Sequence, residues 1–543
     1  MNEREMMKSF LKKFEEEYGY SRNQIQTQFL VVVGRRKSYV DAVVFETEKR
    51  GNPYILIEFK RKILLPLSTQ QIKTFLNLTP AKYAVLTDGR QKICFKKLQK
   101  GLITKIPDIP VKDGEEIKVF TKDSLVTPSN IEFELKNTLN YLFLKMLSMA
   151  SAKSELDKIL LTKFVDEMNP DPVCQFSITP EENLAVNEGS KLQIDFIKRI
   201  DSIFQKVKES YPDIFEEKEK INLSPESLAY VVDQLQSYSI KSISEDVKGG
   251  LYEKIVSAEF RGAMGQFFTP RQQVDFMVEM VNPTEKGKII DPACGTGGFL
   301  IKCIQSVWNR IDELYSDFSL NERGSLKLRF AQNNVFGIDI NSEIVKTAKM
   351  NMLMHGDGHS KIFLADSLTD SAKIHQVLKI VKAKGGFDIA ITNPPFGVRI
   401  NNLNVLKNYK LGAEKKSQNI EVLFLERCIQ FVKSKGKIAI ILPDGILVNP
   451  AMKHVRDFIL TNTKIKSVIS LPNIAFVPYG SGVKSSILLL EKKEIPRKDF
   501  YDYEIFMAIA NNIGYDKTGR PTKNDLLMIL EEYREFEKSM RLD

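Results

Sequence analysis

Residues 286–300 read KGKIIDPACGTGGFL, residues 335–340 read VFGIDI, and residues 387–397 read FDIAITNPPFG. Each is a short apolar run that ends in a polar or glycine-bearing loop. KIFLAD at 361–366 and GKIAIILPDG at 436–445 repeat the pattern, with helix-like stretches between. Such alternation predicts an α/β fold with an open, mostly parallel sheet, whose ligands bind at the carboxyl ends of the strands. In Asp291-Pro292-Ala293-Cys294-Gly295-Thr296-Gly297-Gly298, three glycines stand between a strand and a helix. Backbone can pass close to a ligand there, and a helix N-terminus can face it. Asp339 closes the second strand, a position from which a carboxylate hydrogen-bonds ribose hydroxyls; capping the next helix is the competing reading. Together they favour a nucleoside cofactor.

Asn393-Pro394-Pro395-Phe396 follows the strand FDIAIT. A side-chain amide oxygen and a backbone carbonyl, held by two prolines, can accept both hydrogens of an exocyclic amine while an aromatic ring stacks on its base. Accepting those hydrogens turns the nitrogen lone pair outward. A conjugated amine is a poor nucleophile and a sulfonium methyl a good electrophile, so catalysis is chiefly positioning the two in line. In isolation the tetrapeptide reads as an Asn-Pro turn; about 100 residues after a cofactor loop on one sheet, it reads as a site.

The chain has 543 residues, enough for two to four domains of ~150 residues. Hydrophobic residues at 43% and charged residues at 27% exclude a disordered chain and a membrane protein. The N-terminal MNEREMMKSFLKKFEEEYGY is charged where a signal peptide is apolar, and no run approaches the ~20 apolar residues of a membrane span, so a cytoplasmic protein is expected. Cys94, Cys174, Cys294, Cys303 and Cys428 are scattered and read as free thiols. His355 and His359 are four apart, but their glycine-broken setting reads as surface polar residues rather than metal ligands.

Residues 1–100 hold 20 Lys and Arg against 10 Asp and Glu, residues 101–250 hold 18 against 26, and residues 251–543 hold 41 against 33. A basic, an acidic and a mildly basic segment suggest three units, two of them able to face a polyanion such as DNA. Residues 4–19 read as an amphipathic helix, and FLVVVG, YVDAVVF and YILIEFK as strands of a small sheet. From about 130 to 260 the pattern is helical, as in ELKNTLNYLFLKMLSMA and SELDKILLTKFVDEM. The expected division is 1–125, a small α/β domain; 130–260, helical; 261–495, the α/β sheet domain; and 496–543, a helical extension for assembly.

The order FFTP, DPACGTGG, GIDI, ADSL and NPPF resembles the gamma-class N6-adenine DNA methyltransferases, and more narrowly the modification (M) subunits of type I restriction-modification systems. Gly265-Gln266-Phe267-Phe268-Thr269-Pro270, Lys349-Met350-Asn351-Met352, Ile441-Leu442-Pro443-Asp444-Gly445 and Leu471-Pro472 with Phe476 extend the likeness from roughly residue 135 to the end. It implies a Rossmann-like domain that uses S-adenosylmethionine. By the resemblance, Phe268, Thr269 and Pro270 flank the methionine part of the cofactor, and Asp291, Ala293, Cys294, Gly295, Thr296, Gly297 and Gly298 cradle it. Asp339 holds the ribose and Asp366 the cofactor adenine, while Asn393, Pro394, Pro395 and Phe396 hold the target adenine, flipped out of double-stranded DNA. Phe476 or Tyr479 is expected to close the other side of that base. About 50 residues follow SSILLLEKK, too few for a recognition domain, so the resemblance implies a separate specificity (S) subunit. The resemblance also allows a restriction (R) subunit and a second copy of the chain as further partners.

Tyr39-Val40-Asp41-Ala42-Val43-Val44 and Ile55-Leu56-Ile57-Glu58-Phe59-Lys60 resemble the PD-(D/E)xK nuclease core at the N-terminus of type I restriction subunits. Strand alternation puts Glu58 and Lys60 on one face. The resemblance implies Mg2+ held by Asp41 and Glu58, with Lys60 at the water or phosphate; Gln71 begins a Gln-x-x-x-Tyr-like element in which Phe75 replaces Tyr. An active version would resemble the combined cleavage-modification subunits of type IIB systems; an inactive one would bind DNA or assemble. Asn-Pro-Pro-aromatic motifs also serve methyltransferases of RNA bases and protein glutamines, which stay as alternatives.

Overall fold

The computed structural model describes residues 3–60, 66–127, 131–243, 269–356, 361–370, 372–497 and 503–542. The chain forms two compact units, Met1–Val247 and Lys248–Asp543.

In the first unit, helix α1 (Glu3–Tyr18) is followed by β1 (Ile25–Val33), β2 (Arg36–Phe45), β3 (Pro53–Phe59), α2 (Pro66–Leu78), β4 (Tyr83–Thr87), β5 (Lys92–Lys97) and β6 (Ile103–Ile106). The six strands lie side by side in chain order, antiparallel except where α2 crosses over between β3 and β4. Leu11, Phe14 and Tyr18, at helical spacing, bury against Ile55, Ile57 and Val85 on one face of the sheet. Ile72, Phe75 and Leu76 of α2 bury against Val43, Leu56 and Leu86 on the other.

The helices α3 (Ile131–Met146), α4 (Met149–Met168), α5 (Lys191–Ser210) and α6 (Pro225–Leu235) complete this unit. Asp233 on α6 accepts hydrogen bonds from the Thr104 hydroxyl at 2.6 Å and the Lys105 amide at 2.9 Å, tying helices to sheet. The run 134–150, expected as one helix, is two: Leu147 adopts a left-handed φ of 54° and Ser148 caps α4 by accepting from the Ser151 amide. Buried pairs Lys153–Asp157, Lys158–Glu155 and Lys163–Glu167 let α4 be enclosed while carrying charge, which the hydrophobic pattern alone does not reveal.

The second unit holds α7 (Arg271–Val281), β7 (Ile289–Asp291), α8 (Gly298–Leu314), α9 (Leu320–Asn334), β8 (Val335–Asp339), α10 (Ser342–Met354), β9 (Ile362–Leu364), α11 (Ala372–Lys384) and β10 (Phe387–Thr392). After them come β11 (Arg399–Ile400), β12 (Gln418–Asn419), α12 (Ile420–Phe431), β13 (Val432–Pro443), α13 (Lys453–Asn462), β14 (Thr463–Ser470), β15 (Ser485–Lys492) and β16 (Phe506–Ile509). The chain closes with β17 (Ile513–Tyr515), β18 (Pro521–Asn524) and α14 (Leu526–Leu542). Eight strands form one sheet in the order β16-β14-β15-β13-β10-β7-β8-β9, parallel from β13 to β9. Strand order reverses at β7, so the loops after β7 and β10 flank the crevice where α/β sheets bind ligands.

One face is covered by α7, α8 and residues of α14, the other by α11, α12 and α13. The segment after 496, expected as a helical extension, also supplies β16 to the main sheet and the hairpin β17–β18. Phe506 of β16 stacks edge-on against Tyr533 of α14, which explains why that short strand docks. Among the described residues, no helix is long and apolar enough to cross a membrane.

Candidate active site

The carboxyl ends of β7, β8, β9 and β10 surround a cavity of about 330 Å³. Thr269, Asp291, Ala293, Cys294, Gly295, Thr296, Gly298, Asp339, Asp366 and Asn393 to Phe396 line it. These residues span 128 positions of sequence and meet because parallel strands deliver their loops to one edge. Pro270 instead precedes α7, and Gly297 starts α8 with φ 86°. Phe268 and the rest of Gly265–Phe267 lie outside the described residues, as does His359; the Tyr479 side chain is likewise outside them.

The glycine loop is held from several sides. The Cys294 amide donates to the Ile338 carbonyl at 2.9 Å, and the Gly295 amide to Asp339 Oδ2 at 3.1 Å. The other oxygen of Asp339 accepts from the Asn341 amide at 3.0 Å. Asp339 therefore fixes the glycine loop, a task sequence reading did not foresee, while Asn341 rather than Asp339 caps α10. Asn351 donates from Nδ2 to the Thr296 carbonyl at 2.9 Å, and Ser367 from its hydroxyl to the Pro292 carbonyl at 2.5 Å. Neither was singled out for this role; for Asn351, a polar residue on the buried face of a helix was the available signal. Asp366 turns back to accept from the Leu368 amide at 2.9 Å, which sets its carboxyl at the cavity wall.

Burial pushes the Asp291 carboxyl up to about 7, against the opposing pull of the Ala293 amide, which donates to Oδ1 at 3.0 Å. Burial also raises Asp339, and its backbone amide donors offset part of that rise. Asn393 Oδ1 is buried and, among the described residues, has no hydrogen-bond partner. A buried amide oxygen left unpaired is costly, so this atom is set to receive a donor from whatever fills the cavity. Phe396 lines the cavity and meets Phe476 edge-on at 6.0 Å. Phe476, expected as an alternative closing face for the base, is fully buried and braces Phe396 from behind instead. The surface reading fails for His355 as well: it is buried, with Nδ1 2.7 Å from the Asn351 carbonyl. All five cysteines are free and buried.

In the first unit, Asp41, Glu58 and Lys60 come together. Lys60 Nζ lies 2.7 Å from Glu58 Oε1, and Asp41 Oδ2 accepts from the Phe59 amide at 2.8 Å. Burial raises the Glu58 carboxyl, Lys60 lowers it, and the Asp41 charge raises it again. Glu58 Oε2 is buried and, among the described residues, has no hydrogen-bond partner. Gln71 is half-buried on α2, the helix that packs over this face. Among the described residues, no group of three or more His, Cys, Asp or Glu is placed to hold a metal.

A sequence model described as N-6 DNA methylase matches residues 243–541, more than half of the chain. The chain belongs to the N-6 DNA methylase family. A second model, of the N terminus of the type I restriction enzyme R protein, matches residues 2–110. The methylase subunit of the type I restriction enzyme EcoEI from Escherichia coli is 29% identical over 280 residues, covering 51% of this chain and 53% of that protein. The type II restriction enzyme and methyltransferase RM.BcgI from Heyndrickxia coagulans is 26% identical over 325 residues, covering 57% of this chain and 46% of that protein. The chain thus spans about half the length of these curated relatives. A crystal structure described as a type I modification subunit from Vibrio vulnificus YJ016 superposes with a TM-score of 0.54 at 20% identity, covering 76% of this chain and 91% of that one. The fold of this N-6 DNA methylase is therefore that of the type I modification subunits.

Proposed function

We propose that this chain is the modification subunit of a restriction-modification system, moving a methyl group from S-adenosylmethionine to N6 of an adenine flipped out of DNA. The carrying observation is Asn393 Oδ1, buried and, among the described residues, unpaired at the wall of the cavity that Asp291 and Asp339 share. An exocyclic amine supplies the donor this atom lacks, and the backbone oxygen of Pro394 offers a second acceptor. Asp339, Asp366 and the glycine loop suit a nucleoside, with carboxylates for ribose hydroxyls and an adenine edge and close-packed backbone for the rest. When bound, S-adenosylmethionine supplies an electrophilic methyl on a sulfonium. The protein's part is to hold the amine in line with it, to dry the site through Phe396, Val405 and Phe424, and to keep Asn393 aligned.

A separate specificity subunit choosing the DNA site is part of this reading. The alternative is a bifunctional subunit that also cleaves DNA, favoured by the convergence of Asp41, Glu58 and Lys60: Mg2+ keeps several of its waters, so Asp41 and Glu58 would be its protein anchors. The test is transfer of labelled methyl from S-adenosylmethionine by the full chain, co-expressed with its specificity partner, onto plasmid DNA, RNA and glutamine peptides in parallel. Label on N6 of adenine in DNA supports the reading; label confined to RNA or peptide overturns it.

A further inference from the structure

Residues 397–419, between the Asn393–Phe396 loop and α12, carry Arg399, Lys407, Lys410, Lys415 and Lys416 against the single acid Glu414. The antiparallel pair β11–β12 draws the two ends of this insertion together. There, basic side chains converge. Arg399 donates from Nε and Nη2 to the Ser417 hydroxyl oxygen at 3.2 and 2.9 Å. Lys415 Nζ lies 2.6 Å from His454 Nε2, and His454 Nδ1 lies 3.0 Å from the Ala451 carbonyl. With Nδ1 carrying the proton, Nε2 accepts from the ammonium. Burial and the nearby Arg399 charge hold the Lys415 ammonium below its usual range. Among the described residues, none of the three makes an ion pair with a carboxylate.

Crowding cations this way is unfavourable until an anion arrives. The place of the cluster says which anion. Ile400, beside Arg399 on β11, lines the cavity, as do Asn402 and Ile420, the residue after β12. Of the two ligands proposed for the cavity, S-adenosylmethionine carries no phosphate, whereas an extruded nucleotide carries one on either side. We propose that Arg399, Lys415 and His454, with Ser417, clamp a phosphodiester of the DNA strand beside the extruded adenine. Arg399 presents the planar fork suited to a phosphate, Ser417 has its hydroxyl hydrogen to give, and Lys415 turns from His454 to the anion. This inference rests on the methyltransferase reading of the cavity and adds a second contact point to it.

The test uses the full chain with S-adenosylhomocysteine and a fluorescein-labelled DNA duplex bearing one unpaired adenine, with affinity measured across a KCl series. Arg399→Gln and Lys415→Met should each weaken binding by about tenfold and flatten the slope of log affinity against log salt by about 0.7–0.9. Arg399→Lys should keep the slope but recover only part of the affinity. Lys286→Met is the control: Lys286 is exposed near the amino end of β7, at the other edge of the sheet, and its loss should change neither quantity. Slopes equal to the parent's in both test variants overturn the clamp. Asn393→Ala separates the two ideas, because it should remove the preference for unpaired adenine over a fully paired duplex and leave the slope intact. If the preference survives Asn393→Ala, the base-pocket reading fails instead, and a parent chain with no salt-dependent binding overturns both.

Discussion

Asn393 could be singled out in the sequence because its chemistry is local: two prolines and an aromatic fix the short segment that must meet an amine. Replacing it with alanine removes the acceptor without touching the glycine loop, so methyl transfer should fall at least ~10²-fold, on the scale of losing one preorganised polar partner. Cofactor affinity by calorimetry should be unchanged, and a parallel loss of affinity would mean the residue serves the cofactor instead. Asp291 makes a different prediction, one that sequence could not supply because it depends on burial. Burial pushes its carboxyl up to about 7, and a cofactor bearing an ammonium and a sulfonium favours the ionised form. Affinity should therefore be full above pH 7 and decline as pH falls through 7, and Asp291→Asn should be weak and flat across the range. Asp339 marks the limit of residue-level reading. Ribose contact and helix capping were both foreseeable for an acid at a strand end, but its bond to the Gly295 amide, 44 residues back in sequence, is a product of neighbouring parallel strands.

At the scale of elements, βα alternation was legible because buried parallel strands are short apolar runs and their loops carry the glycines and acids. What was not legible is how elements brace each other. Gly337 stands mid-strand in β8, where an added Cβ would meet Ile362 Cδ1 and Leu300 Cδ1 at 2.8 Å and Cys294 Sγ at 3.0 Å. Gly337→Ala should therefore cost about 1–3 kcal/mol by thermal unfolding, and S-adenosylmethionine affinity should weaken too, since Cys294 belongs to the loop. Asn351 on α10 braces the same loop from the other side. Asn351→Leu removes one buried bond to the Thr296 carbonyl, worth about 1.4 kcal/mol, so cofactor binding should loosen about tenfold while Asn393-dependent selectivity for adenine is kept. Both effects depend on which side chains meet, and periodicity in a single chain does not encode that. The break at Leu147 has the same origin: the apolar pattern runs through it, and only the Ser148 cap shows that a new helix begins.

Across the whole molecule, two chemistries are proposed in two units, and the cavity draws its described walls from residues between Thr269 and Phe424 of the second. The two should therefore be separable by single substitutions. Lys60 supports Glu58, its Nζ 2.7 Å from Oε1. Lys60→Ala leaves a buried carboxylate without its counter-charge, which favours the protonated form and weakens any grip on Mg2+. Because that change also costs the first unit some stability, Glu58→Gln serves as its companion, removing the charge while keeping the shape. With a specificity partner, Mg2+ and S-adenosylmethionine, the parent chain should both nick plasmid DNA and mark it with N6-methyladenine. Lys60→Ala and Glu58→Gln should abolish strand breaks at unchanged methylation, and Asn393→Ala should do the reverse. Breaks persisting in both nuclease variants would remove Asp41, Glu58 and Lys60 from any cleavage role. A parent that methylates and never cuts would leave the first unit a DNA-holding or assembly module, whose buried, unpaired Glu58 oxygen then serves something other than a metal.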